Sequence, residues 1–155
     1  MSARITVAAV AATALAFVPA AWSGTVSGSG LAGGDRVEVG ANSSAEGVQG
    51  HAEAQFNVGT DAFANVGGQV VCIRVEANQA IVAWKLRSPF DAFGTTWAYG
   101  GVYIQDNGDP VNGQPVDRMA DFVTNNIERF CAYAFDFLAF VAQPLTSGNY
   151  VVSDS

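Results

Sequence analysis

The chain has 155 residues, a formal charge of −7, half of its residues hydrophobic and only 14% charged. That length suits one core of ordinary size, and so apolar a composition argues against intrinsic disorder. The acidic surface repels phosphate backbones and anionic headgroups, so nucleic acid is not an expected partner.

Met1 to Trp22 carry one basic residue, an apolar run from Ile5 to Val18, and then small residues around Pro19. This is the layout of a secretory signal peptide. At about 14 residues the run is shorter than the roughly 20 that cross a bilayer as a helix. Residues 1–21 are therefore read as a cleaved leader, with the cut after Ala20 or Ala21, and residues 22–155 as a single domain. The expected location is secreted or extracellular at the cell envelope, with no stable membrane span after cleavage. Export to an oxidising compartment lets thiols pair, and Cys72 and Cys131 allow one intramolecular disulfide.

Beyond the leader, polar and apolar residues alternate with the period of half-buried strands. Val37, Val39 and Ala41 point one way, opposite Arg36, Glu38 and Gly40. Val48, Gly50, Ala52, Ala54 and Phe56 form the next inward set, opposite Gln49, His51, Glu53 and Gln55. Turn chemistry separates these runs at Gly33-Gly34-Asp35 and at Asn42 to Gly47. Gln69 to Val75 and Ala80 to Arg87 read as a hairpin about a short polar turn, followed by a loop holding Ser88, Pro89 and Gly94. Trp97 to Asp106 is a further strand, rich in aromatic and β-branched side chains.

Apolar residues from Met119 to Val141 recur at helical spacing, which predicts a short helix over residues 117–128 with strand or irregular chain beyond. Gly148 to Val152 supply a last strand. About eight short strands in so short a domain predict a mainly β fold, an antiparallel small β-barrel with a two-sheet β-sandwich as the alternative.

Several residues are candidates for chemistry. His51 is the lone histidine, and Glu53 two positions along shares its strand face. Trp84 and Trp97, with Tyr99, Tyr103, Phe90 and Phe93, supply aromatic surface for a groove or mouth. Asp106, Asp109 and Asp117 offer oxygen ligands of the kind calcium takes, although the full spacing of a calcium loop is missing. No cofactor motif, nucleophile elbow or zinc-type ligand spacing is present.

An ordered set of short features spans nearly the whole mature chain. It runs from Gly28-Ser29-Gly30 through Gly47-Val48-Gln49-Gly50, then Gly68-Gln69-Val70-Val71-Cys72 leading into Val75 to Ala80. It continues with Asp106-Asn107-Gly108, Asp117-Arg118, Cys131 and the closing Ser147 to Val152. In order and spacing the chain resembles a family of small exported actinobacterial domains of unknown function. The resemblance implies a β-rich, barrel-like domain with the same cysteine pair, and brings no activity with it. Val37-Glu38-Val39-Gly40-Ala41 departs from the Phe-x-Phe-x-Ala strand of that family. The function expected from the sequence is a non-enzymatic binding or envelope-associated module with an extracellular ligand or protein partner. The alternative is a small secreted hydrolase or isomerase with a barrel-cavity site around His51.

Overall fold

The computed structural model describes residues 23–60, 64–109, 116–133 and 135–154. The predicted leader lies outside the described residues. Nine strands form one antiparallel sheet: β1 (Gly24–Ala32), β2 (Asp35–Ser44), β3 (Gly47–Phe56), β4 (Ala64–Glu76), β5 (Gln79–Ala92), β6 (Thr95–Gln105), β7 (Arg118–Thr124), β8 (Gln143–Pro144) and β9 (Ser147–Asp154). Two short helices, α1 (Ile127–Tyr133) and α2 (Phe135–Val141), lie between β7 and β8. The spatial order is β8-β7-β6-β5-β4-β3-β2-β1-β9, so consecutive strands are neighbours throughout except that β9 returns to pair with β1.

The sheet is the single antiparallel, barrel-like sheet expected, and it curls into a half-barrel without fully closing. Its two edge strands, β8 and β9, are separated only by Leu145 and Thr146, so one extended stretch pairs first with β7 and then with β1. Side chains and single main-chain bonds, not a continuous ladder, span the remaining seam. The Leu145 N–H donates to the Asp117 carbonyl, and the Thr146 N–H to that of Leu31.

The concave interior is filled. Val26, Val37, Val70, Ile73, Val82, Trp84, Val102, Ile104, Met119 and Tyr150 are almost completely buried in one cluster. The small inward residues Ala52 and Ala54 leave room for the Trp84 and Tyr150 rings. At Gly100 the fit is closer still, because a Cβ there would stand 2.8 Å from the Trp84 indole. The Tyr150 hydroxyl donates to the Val37 carbonyl at 2.8 Å, and burial raises its pKa well above the usual phenol range.

A second core lies on the convex face, under the helices. Ile81, Ala83, Tyr103, Cys131, Phe135 and Leu138 form it, with Cys72, Phe122 and Phe130 packed against it. β5 is therefore buried on both faces, which accounts for the unbroken run from Ala80 to Trp84. A bulge between Val70 and Cys72 decides where the disulfide goes. In a regular strand Cys72 would share the inner face with Val70; the extra residue, Val71, moves Cys72 outward, where it bonds Cys131 of α1. Arg74 reinforces that attachment, lying 4.6 Å over the Phe135 ring and donating to the Ala132 carbonyl at the end of α1.

The helix expected over residues 117–128 is not formed: 118–124 is strand β7, and the helices begin at Ile127. The reason is two-sided burial. Met119 faces the inner core while Ala120 and Phe122 face the outer one, so apolar residues appear at both parities and mimic a helical stripe. The loop expected from Ser88 to Gly94 is also replaced. β5 continues to Ala92 through an irregularity between Lys85 and Phe90, where Pro89 is tolerated because no ladder donor is required.

Candidate binding mouth

Strand ends on one rim of the half-barrel gather an aromatic cleft of about 350 Å³. Asp35 comes from the start of β2, Phe56 from the end of β3, Phe90 and Ala92 from the end of β5, Phe93 from the β5–β6 turn, and Asp121 and Val123 from β7. Cross-strand pairing fixes this convergence. Gln55 stands opposite Arg36, which brings Asp35 beside Asn57, and the Asn57 N–H donates to Asp35 Oδ1 at 2.8 Å. The Phe56 and Phe90 rings meet at 5.7 Å between centroids, tilted by 30°. Val58 N–H to Gly34 carbonyl, at 2.8 Å, holds the two loops of this rim together.

Phe93 is unusual on two counts. Its ring is 95% exposed, and its backbone is left-handed at φ 55°, next to Gly94 at φ 73°. A two-residue turn of this kind favours Asn-Gly, because β-carbons are crowded at positive φ. An aromatic held there without any packing stands at the lip of the cleft.

Alternation along β7 turns Asp121 inward, between Ala120 and Phe122 on the outer face. Burial lifts its carboxyl from 3.8 to about 6, the negative charge of Asp35 adds to the rise, and its own backbone N–H opposes it. Among the described residues no other group donates a hydrogen bond to this carboxyl. A second depression of about 170 Å³, lined by Ala32, Gly33, Met119, Val141 and Gln143, meets the first at the same pair, Asp35 and Asp121. No lysine or arginine lines either hollow among the described residues.

The four residues singled out in the sequence as a possible ligand site, His51, Glu53, Trp84 and Trp97, lie outside this mouth. His51 is exposed on the outer face of β3, with its Nε2 2.9 Å from Arg87 Nη2. Glu53 lies on that same face, where its Oε1 accepts from Asn65 Nδ2 at 2.9 Å. Trp84 belongs to the filled interior, and its Nε1 is the one buried side-chain donor without a partner among the described residues. Trp97 is half-buried on β6 and donates through Nε1 to the Ala92 carbonyl at 3.1 Å. These four do not form a common cavity. Of the other expected aromatics, Tyr103 is in the outer core, while Phe90 and Phe93 do reach the mouth.

Asp106 and Asp117 are both engaged by the backbone. Asp117, buried, accepts from the Asn107 N–H with Oδ1 at 2.8 Å and from the Tyr150 N–H with Oδ2 at 2.7 Å. Asp106 accepts from the Gly108 N–H with Oδ1 at 2.7 Å and from the Val152 N–H with Oδ2 at 2.9 Å. The two carboxylates thus bind the free edge of β9 and span the seam of the half-barrel. Four N–H donors aimed at these oxygens are the opposite of a cation site. Asp109 is exposed, 3.5 Å from Asn149 Nδ2. No group of three or more His, Cys, Asp or Glu is arranged to hold a metal among the described residues.

Asp35, Phe56 and Asp121 are the mouth residues that sequence reasoning missed. They are far apart in the chain and belong to no motif. The available signal was Phe93-Gly94, an aromatic where the turn favours asparagine. Among the described residues, no helix is long and apolar enough to cross a membrane. Comparison of the chain with family models, with curated proteins and with solved structures found no match.

Proposed function

We propose that the chain is an exported, non-enzymatic binding module whose ligand enters the aromatic mouth between Phe56, Phe90 and Phe93. The observation that carries this reading is the cleft itself: about 350 Å³, walled by aromatic rings, with the inward-facing carboxyl of Asp121 on one side. Ligand sites are characteristically concave and largely apolar, with a few polar groups that fix orientation. Because Trp84 and Tyr150 fill the interior, the ligand is held at the rim rather than in a central cavity.

The enzymatic alternative around His51 has less support. A general acid or base needs a substrate held beside it, and His51 projects from the outer strand face against Arg87.

Titration of the isotopically labelled mature domain with a fragment library, followed by amide shift mapping, tests the reading. Saturable shifts at Phe56, Ala92, Asp121 and Val123 are expected. Shifts confined to His51, Glu53 and Arg87 would move the site to the outer face and return the enzymatic reading. Export rests on residues 1–21 and is checked by sequencing the N-terminus of the protein recovered from culture medium or the cell envelope.

A further inference from the structure

We propose that the mouth takes a small organic cation, an ammonium group on an aromatic or alkyl body, with Asp121 and Asp35 as its counter-charge and Phe56, Phe90 and Phe93 as its walls. This rests on the mouth being the binding site, and adds the chemical class of the ligand.

Charge and desolvation together select this class of ligand. Two carboxylates from opposite sides of the opening, β2 and β7, face the junction of the two hollows, and among the described residues no basic side chain lines either one. Asp35 has one oxygen committed to the Asn57 N–H, whereas Asp121 receives no donor from another described residue. An anionic ligand would meet both charges with no compensating cation. A neutral apolar ligand would cover Asp121 and remove its remaining water without supplying a partner, which is costly for a carboxylate.

A bare metal ion fits no better. A hard cation seeks six or more oxygen ligands, and beyond the two carboxylates the described lining offers one polar side chain, Asn57, among phenylalanine rings, Ala92 and Val123. An organic ammonium matches every part of this lining. Its charge pairs with Asp121 across a poorly hydrated gap, its polarised methyl or methylene groups lie against ring faces, and its body fills the apolar remainder. Phe93 stands at the lip, positioned to close over such a body.

The test uses three probes of similar shape on the mature, disulfide-bonded domain: benzyltrimethylammonium, 2-phenylethanol and phenylacetate, each followed by amide shift mapping and calorimetry. Benzyltrimethylammonium is expected to shift Asp35, Phe56, Phe90 and Asp121 saturably, 2-phenylethanol to bind at least tenfold more weakly, and phenylacetate not to bind. Asp121→Asn keeps the shape and removes the charge. It is expected to weaken benzyltrimethylammonium at least tenfold and to tighten 2-phenylethanol, whose desolvation cost over the carboxylate it removes, and Asp35→Asn to do the same to a smaller degree. Unchanged spectral dispersion in both variants confirms that they fold. If 2-phenylethanol binds as tightly as the cation and neither variant alters the ratio, charge selectivity is overturned while the mouth survives as an apolar site. If no probe gives saturable shifts at the mouth, both this proposal and the reading beneath it fail.

Discussion

Asp117→Asn is the sharpest test of how the half-barrel is held. The native carboxylate accepts two backbone N–H bonds, from Asn107 at 2.8 Å and from Tyr150 at 2.7 Å, in a buried position at the seam. The amide has the same shape but one acceptor oxygen, and its NH2 must face an N–H donor. Hydrogen bonds to charged groups are worth about 1.5–3 kcal/mol, and leaving a buried donor unsatisfied costs about 1–3 kcal/mol. The isosteric change should therefore remove roughly 2–3 kcal/mol, and Asp117→Ala, which strands both donors, roughly 3–5 kcal/mol. With a typical urea slope, a loss of 2 kcal/mol moves the unfolding midpoint by roughly 1–2 M. The Tyr150 amide should also lose hydrogen-exchange protection before amides in β4 and β5 do. An Asp117→Asn protein as stable as the parent, with Tyr150 still protected, would show that the carboxylate does not hold the seam.

Further outcomes follow from the same geometry. Removing the disulfide with Cys72→Ser and Cys131→Ser opens a loop of 59 residues, costing about 4 kcal/mol in the chain-entropy model. Hydrogen exchange should then rise first over residues 127–141; unchanged protection there contradicts the attachment role. Asp121 has a folded pKa raised from 3.8 to about 6, so the native state binds more protons than the unfolded one between those values. Stability therefore falls as pH rises through that window, and stays reduced above it. Asp121→Asn should be more stable than the parent at pH 7, by up to about 3 kcal/mol, with no such advantage near pH 3; denaturant melts at both values decide it. Gly100→Ala places a Cβ 2.8 Å from the Trp84 indole and should cost about 1–3 kcal/mol with an altered near-ultraviolet spectrum. Millimolar calcium should leave the melting temperature unchanged, because backbone N–H groups already occupy the Asp106 and Asp117 oxygens; a clear rise would restore the metal reading.

Strands with one face buried and one in water were legible from the residues. Val37, Val39 and Ala41, then Ala52 and Ala54, lie inward as their alternation predicts. Where a second layer covers the sheet, that signal is erased, which is why β7 resembled a helix and why β5, legible as a hairpin strand from its turn, shows no alternation from Ala80 to Trp84. The true helix start did have a local mark. Asn126 Oδ1 accepts the Arg129 N–H at 3.1 Å, an N-cap at the first residue before α1. The parity shift that carries Cys72 outward had no such mark, since a bulge depends on the strand opposite. The mouth is legible least of all. Asp35 and Asp121 are 86 positions apart, and only the curl of the sheet brings them to one opening. His51 and Glu53 on the outer face, and Trp84 in the filled interior, make a related point: residue type says what a side chain can do, while its face of the sheet decides what can reach it.

The pairing of β1 with β9 sets an order of events for the growing chain. Gly24 lies opposite Asp154, so β1 finds one of its neighbours only 130 positions further along the chain. Until β9 emerges, Tyr150 is missing from the interior, and the carboxylates of Asp106 and Asp117 have no β9 edge to hold. A nascent chain stalled before Ser147 would carry an unpaired β1 edge and an inner core lacking the Tyr150 ring, a poor substrate for stable folding. The β1–β9 ladder is therefore completed only after every strand between them has been made.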